Sequence, residues 1–167
     1  NAIGLQNPGM EVFCRRDLPF LKQFDTKIIV NVCGHAPEEY LEVVERLAAE
    51  EVDLLEINIS CPNVNAGFLA FGQDPKHVEA LTAEIKKKAK QPVIMKLTPN
   101  VTDTAEIARG AEAGGADAVS LINTLTGMKI DVKKRCFALA NKTGGMSGPA
   151  VKPVAVRMVY QTAQAVK

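Results

Sequence analysis

Leu54-Leu55-Glu56-Ile57-Asn58-Ile59-Ser60-Cys61-Pro62-Asn63 is the stretch on which the fold turns. Its apolar residues do not alternate cleanly with polar ones, which is how a strand covered on both faces of a parallel sheet reads. Cys61-Pro62-Asn63 stops the run, because proline supplies no N–H to a sheet ladder. A loop, residues 65–72, follows, and then Asp74-Pro75 starts a helix, with the aspartate as N-cap and the proline at the first position. That helix buries Val78, Leu81, Ile85 and Ala89 along one stripe. One strand, one functional-looking loop and one capped helix form the repeating unit of an α/β protein.

Three further apolar runs surround this unit: Ile28 to Val32, Pro92 to Thr98 and Ala118 to Thr124. A helix opens at Pro37, with Glu38 and Glu39 favourably placed in its first turn and a stripe through Leu41, Val44, Leu47 and Ala48. Another starts near Thr102 or Asp103 and ends at Gly114-Gly115, where glycine adopts the left-handed conformation of a C-cap. Strand and helix thus alternate, and right-handed crossovers make the sheet parallel. No G-x-G-x-x-G follows the first strand, which argues against an open dinucleotide-binding sheet. The expected fold is therefore α/β, a TIM (β/α)8 barrel. Such a barrel needs about 250 residues, so the units here amount to a partial one.

The pattern breaks after the fourth strand. Met128 to Asn141 holds candidate strands Lys129–Val132 and Phe137–Ala140 around a basic turn, an expected β-hairpin inserted at the rim. Gly144 and Gly145 are expected to form a flexible turn. A last helix is expected from about Pro153, with Val154, Met158, Val159 and Ala163 facing inward.

Composition narrows the function classes. The net charge is +1, and the Lys86-Lys87-Lys88 run falls on the outer face of its helix, so no basic footprint for nucleic acid is present. No run approaches the about 18 consecutive apolar residues of a membrane span, and Asn1-Ala2-Ile3-Gly4 lacks the regions of a signal peptide, so a cytoplasmic protein is expected. Cys14, Cys33, Cys61 and Cys136 form no C-x-x-C pair, which predicts free thiols and no zinc or iron–sulfur site. With only His35 and His77, a histidine metal site or a Ser-His-Asp triad is hard to assemble, and no metal is expected.

Each strand carries a polar residue at or near its C-terminal end: Asn31, Asn58, Lys96 and Asn123. In a parallel barrel these ends share the rim where active sites lie. Buried amides and ammonium groups cost several kcal/mol unless satisfied, roughly 2–7 kcal/mol for a neutral polar group, so four of them together imply either an internal hydrogen-bonded network or a polar ligand, and their convergence favours the ligand. Cys61, directly after the second strand, is the candidate base or nucleophile, since a thiol with a free pKa of about 8.5 needs little tuning. The other cysteines suit a bland buried role, Cys33 alone adjoining the rim. Lys96 needs an anionic partner, either Glu56 on the neighbouring strand or a bound group such as a reduced flavin.

Asn1-x-Ile3-Gly4-Leu5-x-Asn7-Pro8-Gly9, Asn58 through Asn63, Lys96-Leu97-x-Pro99-Asn100, Ile122-Asn123-Thr124 and Gly144 through Gly148 together resemble class 1 dihydroorotate dehydrogenases. Residues 139–148 look most like the NAD-linked 1B catalytic subunit. The resemblance spans the chain in order and implies that residues 1–167 are the central part of a single FMN-binding barrel domain that oxidises dihydroorotate to orotate in pyrimidine (UMP) biosynthesis. It implies Cys61 as the base for the C5 proton while FMN accepts the C6 hydride. Asn1, Ile3, Gly4, Leu5, Asn58, Asn63, Asn123 and Thr124 match substrate-binding positions, and Asn31, Asn58, Lys96, Ile122 and Gly148 match flavin-contacting ones. A homodimer is implied, and in subclass 1B a partner subunit bearing FAD and an iron–sulfur cluster. The resemblance departs in the loop Asn65 to Phe68, which holds one glycine where the family often has two. Two alternatives remain open: the pyrimidine-reducing domain of dihydropyrimidine dehydrogenase, and a non-catalytic half-barrel interaction fragment.

Overall fold

A computed structural model describes residues 6–60 and 71–167. Four strands, β1 (Ile29–Val32), β2 (Leu54–Asn58), β3 (Val93–Lys96) and β4 (Ala118–Ser120), form one parallel sheet in chain order. The register sets Asn31 beside Glu56, Asn58 beside Lys96, and Lys96 beside Ser120. Before the sheet lies a helical stretch made of α1 (Met10–Val12), a π-turn (Phe13–Asp17) and α2 (Leu18–Leu21).

The crossovers are α3 (Pro37–Leu47), α4 (Pro75–Lys88) and α5 (Thr104–Ala113). Their ends follow the sequence. Asp74 accepts hydrogen bonds from the backbone N–H groups of Lys76 (2.8 Å) and His77 (3.2 Å), and Asp103 accepts one from Ala105 (2.8 Å). At the other end of α5, Gly115 takes φ +91, a conformation that a side chain would strain. Gly110 lets α5 lie directly on α4, since a Cβ there would meet the Pro75 carbonyl.

These helices cover one face of the sheet. Leu55, Ile57, Val93 and Met95 point into it and are fully buried among Val44, Leu47, Val78, Ile85 and Ala108. Burying each large aliphatic side chain contributes about 1.5–3 kcal/mol. The other face carries Ile29, Asn31, Glu56, Asn58, Ile94, Lys96, Ala118 and Ser120, as the two-residue period of a strand requires. Here the sequence expectation of strands buried on both faces is corrected. Ile29 is 53% exposed and Ala118 is exposed, because α3, α4 and α5 all pack on the opposite face. The observed architecture is α/β with a four-stranded parallel sheet.

The inserted hairpin is present and longer than expected. β6 (Ile130–Asp131) pairs antiparallel with β7 (Cys136–Phe137) across a turn in which Arg135 has φ 53. Below it, β5 (Leu125–Met128) pairs antiparallel with β8 (Thr143–Met146). Gly144 and Gly145, expected to form a flexible turn, are therefore strand residues. They pair with Gly127 and Thr126, so glycine stands on both strands of this ladder and the β-branched signal is missing. A short turn (Pro149–Val151) leads into α6 (Lys152–Ala163), which packs on α5 through Met158 and Thr162. Val159 and Ala163, expected inward, are exposed, because the buried stripe of α6 is set by Met158 and Thr162, four residues apart on one helix face.

Candidate functional site

The C-terminal ends of β1, β2 and β4, with the segments that follow β2 and β4, gather a connected row of polar side chains. Thr124 N–H donates to Asn123 Oδ1 (2.7 Å). Asn123 Nδ2 donates to Ser60 Oγ (2.5 Å), and the Ser60 hydroxyl donates to Asn58 Oδ1 (2.5 Å). Asn58 Nδ2 then donates to Asn31 Oδ1 (3.4 Å), and Asn31 Nδ2 donates to Glu56 Oε2 (2.5 Å). Glu56 accepts a second bond, from Ser120 Oγ (2.7 Å). Every amide in the row spends its oxygen toward Thr124 and its NH2 toward Glu56, so the row has one direction and ends on a carboxylate. Hydroxyls and amides that donate at one end and accept at the other permit this, and acceptor-only carboxylates terminate it.

Local folding explains the placement. Asn58 closes β2 and is 5% exposed, and its backbone carbonyl accepts a hydrogen bond from Tyr40 Oη (2.9 Å) on α3. Tyr40 is itself buried, so the helix clamps the strand end. Asn100, after β3, donates to the Thr124 carbonyl (3.1 Å) and accepts from Thr126 N–H (2.9 Å), fixing the start of the hairpin over the rim. Gly145 lies against Thr124, with no room for a Cβ. The Leu121–Ile122 peptide is cis.

Lys96 differs from its neighbours. Its side chain is half-buried at the end of β3, and among the described residues its ammonium makes no hydrogen bond or ion pair. The expected alternative of an ion pair with Glu56 is not formed. Both Glu56 oxygens are occupied, by Asn31 and Ser120. A half-buried ammonium whose three N–H donors have no partner among the described residues is open to a bound anion or an electron-rich carbonyl.

Of the residues singled out from sequence, the structure joins Asn31, Asn58, Asn123 and Thr124 in one hydrogen-bonded row and sets Lys96 beside Asn58 in register. Ile122 lies half-buried in the segment between β4 and β5, and Gly148, with φ 103, precedes the turn into α6. Asn1, Ile3, Gly4, Leu5, Cys61 and Asn63 lie outside the described residues. Cys33 Sγ is 3.2 Å from Asn31 Oδ1 and so touches the row. Cys14 is buried, and burial pushes its thiol up from the ordinary range. Cys136, expected to be a small buried hydrophobe, is exposed on β7. His35 is exposed and pairs with Glu39 (3.3 Å).

Sequence reasoning missed the roles of Ser60, Glu56, Ser120 and Tyr40. Ser60 and Glu56 had a signal, being polar residues in an apolar strand run, while Tyr40 and Ser120 become meaningful only through the register. A 390 Å³ cleft between residues 6–10 and β1 includes Asn31 and Cys33 in its wall and so reaches one end of the polar row. No helix among the described residues is long and apolar enough to cross a membrane.

A family model described as dihydroorotate dehydrogenase matches residues 1–167. Among curated relatives, the dihydroorotate dehydrogenase B (NAD(+)) catalytic subunit of Lachnoclostridium phytofermentans is 73% identical over 167 residues, covering 100% of this chain and 56% of that protein. The protein of the same name from Alkaliphilus metalliredigens is 62% identical over 166 residues, 99% of this chain and 55% of that one. The one from Caldicellulosiruptor bescii is 53% identical over 161 residues, 96% of this chain and 53% of its own length. The chain thus spans about half the length of the curated relatives it matches.

Proposed function

The chain belongs to the dihydroorotate dehydrogenase family, and from that premise we propose that its protein oxidises dihydroorotate to orotate in pyrimidine (UMP) biosynthesis, with FMN held at the rim of a (β/α)8 barrel. The observation that carries this reading is the half-buried, unpaired Lys96 ammonium beside a row of oriented amides. Residues 1–167 form the central part of that single barrel domain.

The residues present fit a flavin. Lys96 offers a positive charge for the part of an isoalloxazine that becomes electron-rich on reduction, and Asn31 and Asn58 offer amides, with Ile122 and Gly148 lining the same group. FMN, when bound, supplies the acceptor for the C6 hydride. Cys61 takes the proton from C5 of the substrate. A thiolate does this near neutral pH because its ordinary pKa, about 8.5, lies close to the working pH. Asn58, Asn63, Asn123 and Thr124 hydrogen-bond the substrate carboxylate and ring amides, and Asn1, Ile3, Gly4 and Leu5 match further substrate-binding positions of the family.

The relatives' names, "catalytic subunit" and "NAD(+)", support a partner subunit and NAD as electron acceptor, and the resemblance to subclass 1B gives that partner FAD and an iron–sulfur cluster. The catalytic chain works as a homodimer in the cytoplasm. The test goes through Lys96. In the full-length gene product, Lys96→Met is expected to weaken FMN binding roughly ten- to hundredfold, matching the about 1.5–3 kcal/mol of a charge-assisted contact. Fluorescence titration of the apo-protein with FMN reads this directly. Unchanged affinity would remove Lys96 from the flavin site.

A further inference from the structure

We propose that Ser60 is the positioning residue of the substrate site: its backbone N–H and hydroxyl together hold the Asn58 oxygen, and its hydroxyl fixes which way the Asn123 amide faces. The proposal rests on the reading of those two asparagines as substrate ligands. Ser60 is 5% exposed and sits between them: its Oγ accepts from Asn123 Nδ2 (2.5 Å) and donates to Asn58 Oδ1 (2.5 Å), while its backbone N–H also donates to Asn58 Oδ1 (3.2 Å).

A primary amide is almost symmetric in shape, and rotation by a half-turn exchanges a donor for an acceptor with little steric cost. A site that must distinguish carboxylate and carbonyl oxygens from ring N–H groups therefore needs its amides locked. Ser60 has one proton. Once that proton goes to Asn58 Oδ1, Ser60 Oγ can only accept from the other side, so Asn123 must present its NH2. The Asn123 oxygen then faces the Thr124 N–H, as observed (2.7 Å). On the far side Asn58 must present its NH2 to Asn31, whose own NH2 meets Glu56, a group that can only accept while ionised. Glu56 thus sets the direction of the row at one end, and Ser60 carries that direction from β2 across to the segment after β4.

Without the hydroxyl, Asn58 keeps the Ser60 backbone N–H, but Asn123 keeps only the weak contact from its Nδ2 to the Ser60 carbonyl (3.4 Å). Its amide is then free to turn. Removing one such bond typically costs about a factor of ten in an equilibrium constant.

The test uses the full-length, FMN-loaded gene product and orotate titrated by calorimetry, beside steady-state kinetics. Ser60→Ala is expected to raise the orotate Kd and the dihydroorotate KM about tenfold, with kcat reduced less, FMN content unchanged and the protein still folded at the assay temperature. Ser60→Thr, which keeps the hydroxyl, is expected to restore both constants to within about threefold. Should Ser60→Ala fail to fold, Ser60→Cys, close in size and weak in hydrogen bonding, must show the same loss of orotate affinity. Wild-type orotate affinity in the folded Ala or Cys variant overturns the positioning role alone. Wild-type protein that binds no orotate overturns the substrate reading and the proposal with it.

Discussion

Asn31, Asn58, Lys96 and Asn123 are legible as a set in the sequence, because strand ends in a parallel sheet share one edge and a polar residue at each end is costly unless used. What the sequence could not show was their order. The direction of the row depends on Glu56 facing Asn31 in register and on Ser60 turning back between two asparagines, both consequences of pairing rather than of spacing. The Lys96–Glu56 ion pair illustrates the same limit. The two residues occupy one face of neighbouring strands, and yet Glu56 is taken by Asn31 and Ser120, which leaves Lys96 for something else. Cys61 follows directly after this row in the chain. A general base contributes about 10²–10⁴ in rate, so Cys61→Ser in the full-length gene product is expected to slow anaerobic flavin reduction by dihydroorotate by at least about a hundredfold while FMN stays bound. Stopped-flow absorbance measures it, and an unchanged rate would end the role of Cys61 as base.

Among the elements, the capped helices were the most predictable, since Asp74-Pro75 and Asp103 act locally through their own first turns. The hairpin base was the least, because Gly127, Gly144 and Gly145 erase the strand signal, and of the three it is Gly145 that lies too close to Thr124 for a side chain. One element-level contact has a pH signature. Asp117, at the start of β4, accepts from Lys86 Nζ on α4 (2.6 Å) and from the Val93 N–H on β3 (2.7 Å), and first the Lys86 bond, then the backbone bond, hold its carboxyl below the usual range. A group whose pKa is depressed by folding stabilises the fold above its unfolded value, and that stability is lost as pH falls through the folded value. The relevant window therefore lies below about pH 4. Asp117→Asn is expected to lower the urea midpoint at pH 7, with the gap to wild type closing as pH falls from about 4 toward 2. Chemical denaturation at three pH values checks this, and a gap that does not vary with pH would show that the charge of Asp117 is not what links these elements.

On the scale of the whole molecule, the parallel sheet and its helices followed from alternation alone, whereas the coverage of the sheet did not. The strands read as buried on both faces because their residues are apolar on both, yet the three crossover helices lie on one side. Ile29 on the open face and Val156 and Tyr160 on α6, each more than half exposed, leave apolar surface that water does not favour. The 167-residue chain by itself is therefore expected to self-associate, and sedimentation should give a mass well above 18.0 kDa. A monodisperse monomer would mean that these surfaces are covered in solution. The central claim, a flavin site that oxidises dihydroorotate, is tested most directly by the absorbance spectrum of the full-length gene product, purified with FMN and freed of excess, before and after anaerobic dihydroorotate. Retained flavin that bleaches with dihydroorotate, and is not reoxidised by uracil, is the predicted result; flavin that stays oxidised in dihydroorotate, or reduced flavin that uracil reoxidises, would contradict it.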